Sequence, residues 1–286
     1  MTPDKAEASG NESSPLFFNR YEMKFMIPTS MVEPISRFTE IYCDLDPYSA
    51  RSSDSFYKLN SLYFDTPQFY LLRQKLAGQP NRFNMRVRSY GESPTFPYYM
   101  EVKRKVRDFV IKRRAKVNEA QWRACRHEIA CDTDSESQDL SIHERFGADS
   151  NRDLFLQIAR TYNTQPQILT QYRRKAYLSN VDEYARVTFD CDMKFFRQQD
   201  FSLVPDDKKM VNYDSEDLFD EEGLGVVLEL KCTARVPYWM IDLIQTFELE
   251  QGGFSKYSSS MTKVLQEELF TPTLLRESSL PFDQPF

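Results

Sequence analysis

The groups in this sequence best suited to chemistry are cations spaced two residues apart. In "RFNMRVRSY", Arg82 to Tyr90, the residues Phe83, Met85 and Val87 alternate with Arg82, Asn84, Arg86 and Arg88. The spacing recurs in Glu22 with Lys24, in Glu101 with Lys103 and Lys105, and in Lys112 with Arg114 and Lys116. It returns in Tyr172 with Arg174, in Arg186 with Thr188 and Asp190, and in Glu229 with Lys231. Guanidinium groups hold phosphate oxygens in forked pairs, and ammonium groups act as point charges. Gathered in one place, these cations suit a ligand that is strongly anionic, elongated and narrow, such as inorganic polyphosphate or a nucleoside triphosphate. A Glu among them repels phosphate unless a divalent metal bridges the two. Glu22 and Glu101 are therefore open to two readings, as ligands of Mn²⁺ or Mg²⁺ or as structural partners of the cations. For Glu229 the metal reading is preferred.

Side chains two apart share a face only in a strand. Each of these segments then has one apolar and one charged face. An open sheet with its charged face in water is one arrangement. Against it, long cations outnumber the Thr, Ser and Gln usual on a solvent face. Like charges two apart also repel unless carboxylates or a bound polyanion neutralise them. The expected class is therefore α+β, a closed antiparallel β-barrel of about eight strands with charged faces inward and helices packed outside. Closure removes the edges, and such a barrel leaves room for one slim ligand. "RFNMRVRSY", "FPYYMEVKRKV" and "DFVIKRRAKV" read as a meander, and "SFYKLNSLYFDTP", "QILTQYRRKAYL", "EYARVTFDCDMKFF" and "GVVLELKC" as further strands. "PTSMVEPISRFTEIYC", "PQFYLLRQKLAG", "NEAQWRACRHE", "NRDLFLQIARTY" and "PYWMIDLIQTFELE" read as helices. "SKYSSSMTKVLQEELF" reads as a last helix capped by Ser255. A solvated loop is expected over 131–141, and a flexible acidic excursion before "GVVLELKC".

The 286 residues suit one large domain, expected over 16–270 between a disordered tail at 1–15 and a second tail at 271–286. No apolar run approaches the roughly 18 residues needed to cross a bilayer, and the first residues lack the apolar core of a signal peptide. A cytoplasmic protein is expected, unless a partner holds it at a membrane. With only His127 and His143, a histidine zinc site or a Ser-His-Asp triad is poorly supported. None of the five cysteines forms a CxxC pair, and Cys191 and Cys232 are expected to be buried thiols. The net charge is −6, yet Arg73 to Lys116 holds thirteen Lys or Arg against three acids, and Asp200 to Glu222 nine acids against two lysines. One basic block in an acidic chain suits a concentrated anion rather than a nucleic acid. The aromatics fall mostly on the apolar parity, which argues against stacking platforms for single-stranded RNA. "GLGVVLE" precedes a strand and lacks a third Gly, and no GxxxxGK[ST] loop occurs, so neither common nucleotide loop is present.

Taken in order, "RYEMKF", "SLYFDTP", "RVRSYG", "EVKRK", "QYRRKAY", "ARVTFD", "VLELK" and "FSKY" span roughly Arg20 to Leu265. In these the chain resembles the catalytic domain of the VTC (vacuolar transporter chaperone) polyphosphate polymerases, in the triphosphate tunnel metalloenzyme or CYTH-like superfamily. The resemblance implies a tunnel barrel that transfers the ATP γ-phosphate to a growing polyphosphate chain and releases ADP, with Mn²⁺ or Mg²⁺ as cofactor. By motif it implies that Lys24, Arg86, Arg88, Lys103, Arg174 and Arg186 act on the phosphates. Tyr172 matches a phosphate-contacting tyrosine, Glu229 the metal-binding glutamate and Lys256 a lysine near the phosphate path. Lys112, Arg114 and Lys231 join Tyr172 and Lys256 as substrate-binding residues. In "VIKRRAK" either Lys112 or Arg113 could take the family position, and parity favours Lys112 and Arg114. Gly253 stands where the family's eukaryotic polymerase has a second lysine, which bears on translocation of the chain. Without an SPX domain or membrane spans, the chain looks like a stand-alone prokaryotic form, with a membrane-protein partner at the inner membrane as a further expectation. A tripolyphosphatase or NTP triphosphatase of the same fold, and a non-catalytic polyphosphate-binding module, are the alternatives.

Overall fold

The computed structural model describes residues 21–107, 109–130, 142, 146–213, 224–233 and 235–270. The two expected tails, the loop expected over 131–141, Cys131 and His143 lie outside these residues, as does 214–223 of the acidic excursion. The chain opens with β1 (Tyr21–Pro28), α1 (Val32–Thr39), β2 (Cys43–Leu45) and α2 (Pro47–Arg51). Then come β3 (Tyr57–Asp65), α3 (Tyr70–Leu76) and the meander β4 (Asn81–Tyr90), β5 (Thr95–Val106) and β6 (Phe109–Val117). α4 (Glu119–Ala130) and α5 (Ser150–Tyr162) precede β7 (Gln165–Ser179), β8 (Ala185–Arg197), β9 (Val211–Asn212) and β10 (Leu224–Cys232). α6 (Tyr238–Thr246) and α7 (Lys256–Phe270) follow.

One antiparallel sheet carries all the strands of the described residues, in the order β1-β10-β8-β7-β3-β4-β5-β6, with β2 added to β7 and β9 to β8. The closed barrel expected from the sequence is corrected in one respect. Among the described residues β1 and β6 end the path without a ladder between them, so backbone hydrogen bonds do not close the sheet. The sheet still curls far enough for Lys103 Nζ on β5 to donate to Glu22 Oε2 on β1 at 2.8 Å. The middle of β6 carries Lys112, Arg113 and Arg114 in succession, all exposed. Charge of this kind is how edge strands resist pairing.

Two apolar layers lie on the convex side. Phe25, Ile27, Val187, Phe189, Leu228 and Leu230 pack under Ile35 of α1 and Trp239, Met240 and Leu243 of α6. Met85, Val87, Met100 and Val102 pack under Trp122 and Cys125 of α4 and Phe155 and Leu156 of α5. Each of these large side chains contributes about 1.5–3 kcal/mol on leaving water. The expectation that all helices lie outside is corrected by α7. Its Tyr257, Met261 and Val264 pack on Leu59, Tyr63, Ile168, Tyr172 and Val227, the parity of the charged face. At that end of the sheet the inward positions are apolar. Part of this change comes from β8, where the ladder shifts register near Asp192, whose φ is +48°. Val187 and Phe189 face outward before the irregularity, and Met193 and Phe195 join the inner cluster after it.

Candidate functional site

Inside the curl lies a cavity of about 620 Å³ lined from β1, β3, β4, β5, β6, β7, β8, β10 and the first turn of α7. Its lining contains Lys24, Arg86, Arg88, Lys103, Arg174 and Arg186, and also Lys112, Arg114, Tyr172, Lys231 and Lys256. Glu22, Glu101 and Glu229 complete the set, so every residue given a site role reaches one space, whereas Arg82, Lys105 and Lys116, which share the spacing, are not among its lining residues. A second cavity of about 630 Å³ lies outside, among β6, α4 and α5, where Glu128 and Arg160 pair at 2.8 Å.

Register builds the β1–β10 wall. Glu22 stands opposite Lys231, and Lys24 opposite Glu229. Lys24 Nζ lies 3.4 Å from Glu22 and 3.3 Å from Glu229, and donates to the Phe254 carbonyl at 3.0 Å. Lys231 pairs with Glu229 at 2.5 Å. On the neighbouring strands the Arg174 fork donates to both oxygens of Asp190 at 2.6 and 2.7 Å. Lys256 reaches Asp190 at 2.5 Å and lies 4.5 Å from the centre of the Tyr172 ring. Ser255 caps α7 as expected, its Oγ accepting from Ser258 N at 3.4 Å. Arg186 pairs with Asp46 at 2.9 Å.

The β4–β6 wall is built differently. Glu101, 2% exposed, takes Arg86 at 2.7 Å, Lys112 at 2.7 Å and Arg114 at 3.4 Å. Arg88 donates to Ser61 Oγ at 3.3 Å and to the Tyr172 hydroxyl at 3.0 Å, both neutral oxygens. Lys112 and Arg114, as parity favoured, are the β6 side chains that pair with Glu101.

Burial alone would raise the carboxyl groups. For Glu229, Lys231, Lys24, Lys256 and Arg174 outweigh it and hold the pKa well below the usual range. For Glu22, Lys231 and Lys103 do the same, and the pKa falls to about 2. Arg86, Arg88 and Lys112 likewise keep Glu101 ionised against its burial. Lys112 moves the other way. Desolvation lowers it, Glu101 opposes, Arg86 and Arg88 add to the fall, and its pKa drops to about 7.

No three His, Cys, Asp or Glu side chains converge as a ready-made metal cage among the described residues. The carboxylates of Glu22 and Glu229, each within 3.4 Å of Lys24 Nζ, are close enough to share one cation. Such a pair fits a Mg²⁺-type ion, which takes one or two carboxylates and completes its shell with water and substrate phosphates. Glu101 carries Arg86, Lys112 and Arg114 on its oxygens, as Glu229 carries Lys24 and Lys231, so an ion at either carboxylate would displace an ammonium or guanidinium group.

Sequence reasoning missed several lining residues. Tyr57, Tyr63 and Tyr90 face the cavity, exceptions to the reading that the aromatics fall mostly on the apolar parity. Tyr63 shares its parity with Leu59 and Ser61, and only its hydroxyl, accepting from Arg86 at 3.2 Å, distinguishes it from core. Asp46 was also missed. The signal was present in "DP": Asp46 caps α2 by accepting from Ser49 N at 2.8 Å, with Pro47 at the first helical position.

Several solved structures are similar to this chain at low identity. A Bacillus halodurans protein described as a candidate adenylate cyclase is 10% identical, with a TM-score of 0.44 over 83% of this chain and 95% of that one. A Vibrio parahaemolyticus protein with the same description is 9% identical, with a TM-score of 0.42 over 85% and 97%. The Hippeastrum protein HpAC1, described as a candidate adenylyl cyclase with a dominant triphosphatase activity, is 12% identical, with a TM-score of 0.40 over 85% and 95%. No curated protein matches significantly. No helix among the described residues is long and apolar enough to cross a membrane. Residues 19–265 match the VTC domain, and the chain belongs to that family.

Proposed function

We propose that this protein is an ATP-dependent polyphosphate polymerase, transferring the γ-phosphoryl group of ATP to the end of a polyphosphate chain. The observation that carries this reading is the convergence of cations from both walls on one cavity, in a chain of the VTC domain family. Arg86, Arg88, Lys103, Lys112 and Arg114 hold phosphates from one side, and Lys24, Arg174, Arg186, Lys231 and Lys256 from the other. Tyr172 offers its hydroxyl between Arg88 and the phosphates. Glu229, with Glu22, would hold Mn²⁺ or Mg²⁺. When bound, that ion neutralises phosphate oxygens and polarises the phosphoryl group. The nucleophile is the terminal oxyanion of polyphosphate. It forms a bond to the γ-phosphorus as the bond from γ-phosphorus to the β-bridging oxygen breaks, and ADP leaves with that oxygen. Phosphoryl transfer needs positioning and charge neutralisation more than covalent chemistry, so no general base is required.

One observation favours a second reading, a hydrolase of short triphosphates. α7 covers one end of the concave face, and a cavity closed there suits a short substrate better than a threaded polymer. A polymer would then leave by the β1–β6 side, where no ladder closes the sheet. Gly253 lies in the loop before α7, next to Gly252, whose N–H donates to the Lys24 carbonyl of β1 at 2.8 Å, and an added side chain at Gly253 meets nothing within 4 Å.

The deciding experiment incubates the protein with ATP and Mn²⁺, with and without a short polyphosphate primer, and resolves the products. Polymer with matching ADP is the expected result. Free phosphate without polymer replaces the polymerase by the hydrolase, and binding without turnover replaces both by a binding module. A membrane-protein partner belongs to the polymerase reading and is tested by co-purification from membranes.

A further inference from the structure

The tyrosines that phosphate binding does not use gather at one mouth of the cavity. Tyr57 of β3 and Tyr90 of β4 line it, and Tyr48 of α2 stands above them, 42% exposed. Tyr48 stacks on Tyr90 at 4.8 Å and 20°, and tilts against Tyr57 at 5.3 Å. Tyr99 of β5 meets Tyr90 edge-on at 5.3 Å and lies 3.7 Å below the Arg114 guanidinium. Arg114 also donates to the Tyr90 hydroxyl at 2.9 Å and pairs with Glu101 at 3.4 Å. One side chain thus ties the aromatic group to the phosphate-facing cations. Asp46 fixes α2 to the same mouth, through Arg186 at 2.9 Å and the Tyr57 hydroxyl at 3.3 Å.

Packing alone is a poor account of this group. Aromatic rings stabilise a fold chiefly by leaving water, yet the outermost ring keeps nearly half its surface in it. The far end of the same concave face shows what packing does here, since Ile168, Val227 and Met261 are fully buried in one cluster. Tyr57 and Tyr90 pack at the near edge of that cluster, and Tyr48 above them is the open part, an aromatic face beside a row of cations.

We infer that this mouth is a nucleobase platform, resting on the reading that a nucleoside triphosphate enters the cavity. The base stacks on the Tyr48–Tyr90 pair, and the phosphates run inward to Arg88 and Arg86. Tyr90 and Arg88 share a face of β4 two residues apart, about 7 Å along the strand, a gap that a ribose and its first phosphate fill. Every base has a π face, so the platform separates nucleotides from bare phosphate chains and discriminates weakly among bases. It also sets direction, with the nucleoside at the tyrosine mouth and the γ-phosphate deepest.

The test compares binding of the β,γ-imido analogue of ATP with that of imidotriphosphate, by calorimetry with Mg²⁺ present. Wild type, Tyr48→Ala and Tyr48→Phe are measured, with thermal melts to verify folding. In Tyr48→Ala the nucleotide should weaken about tenfold while imidotriphosphate stays within about twofold, and Tyr48→Phe should restore the nucleotide. Equal loss of both ligands, or loss of neither, overturns the platform and leaves triphosphate binding standing. Wild-type binding of imidotriphosphate without the nucleotide does the same. Binding of neither by wild type removes the platform and the proposed function together.

Discussion

The two walls of the cavity balance their charge in different ways. On the β1–β10–β8–β7 side, Lys24, Lys231, Arg174, Lys256 and Arg186 are shared among Glu22, Glu229, Asp190 and Asp46. On the β4–β6 side, Arg86, Lys112 and Arg114 crowd onto Glu101, and Arg88 meets only neutral oxygens. Burying a charge costs several kcal/mol unless a partner offsets it, about as much as a whole domain can spare. The first wall therefore comes near to balance without a ligand. The second sets Arg86, Arg88, Lys112 and Arg114 against the single carboxylate of Glu101, an excess of charge that a bound polyanion would offset.

The largest expected effect breaks the unbalanced wall. Arg88→Ala, or Arg86→Ala, should lower kcat/KM by at least about a thousandfold, comparable to losing a main transition-state donor. For Arg88→Ala the melting temperature should fall little, because Arg88 donates only to the Ser61 and Tyr172 hydroxyls and shares its field on Glu101 with Arg86 and Lys112. Activity within about twofold of wild type takes these positions out of the phosphate path. A Tm drop of about four degrees or more, on the order of 1–2 kcal/mol in a domain of this size, would contradict the charge-excess argument instead.

On the balanced wall, Glu229→Gln keeps the shape and removes the charge that holds Lys24 and Lys231. Activity should fall about a hundredfold and titration with Mn²⁺ should no longer rescue it, if Glu229 is the metal carboxylate. Full activity with an unchanged metal requirement would hand the metal to other residues. Glu101→Gln sharpens the contrast through stability. It leaves three cations without an anion and should cost about 2–3 kcal/mol. Added tripolyphosphate should then raise its Tm by more than it raises that of wild type, since ligand binding stabilises by linkage. Equal ligand-induced shifts in both proteins would mean that Glu101 and phosphate do not answer the same charge.

Much of this was legible because strand parity is an arithmetic property of sequence. Arg86 and Arg88 announce their shared face by spacing alone, as do Glu229 and Lys231, and the β4–β5–β6 meander follows from short turns. The neighbours of a strand are less legible. Nothing local places β10 between β1 and β8, although that insertion sets Lys24 opposite Glu229. The change of parity in β8 was hidden too, since the irregularity near Asp192 is a backbone event. It turns Met193 and Phe195 inward and prepares the seat for α7, which a uniform charged lumen would have excluded. α2 was missed because five residues carry too little periodicity to read. With it went Tyr48 and the aromatic mouth.

The smallest effect separates the walls by pH. Lys112 keeps 46% of its side-chain surface exposed, yet desolvation, with Arg86 and Arg88 of β4, presses its pKa to about 7 against the pull of Glu101. On the other wall Lys24 is driven upward, because Glu229 and Glu22 outweigh its burial. A polyanion favours the charged ammonium and raises the Lys112 pKa, so ligand binding above pH 7 must take up a proton. The affinity for tripolyphosphate should therefore decline as pH rises from about 7 towards 9, by up to about tenfold per pH unit while this one group titrates. Calorimetry in two buffers of different ionisation enthalpy reads that uptake directly. In Lys112→Met it should shrink by the Lys112 share, leaving the titration of the ligand's own terminal phosphates. An identical proton count in both proteins would mean that Lys112 already holds its proton in the empty cavity, and that Glu101 balances the β4–β6 wall better than its three pairs imply.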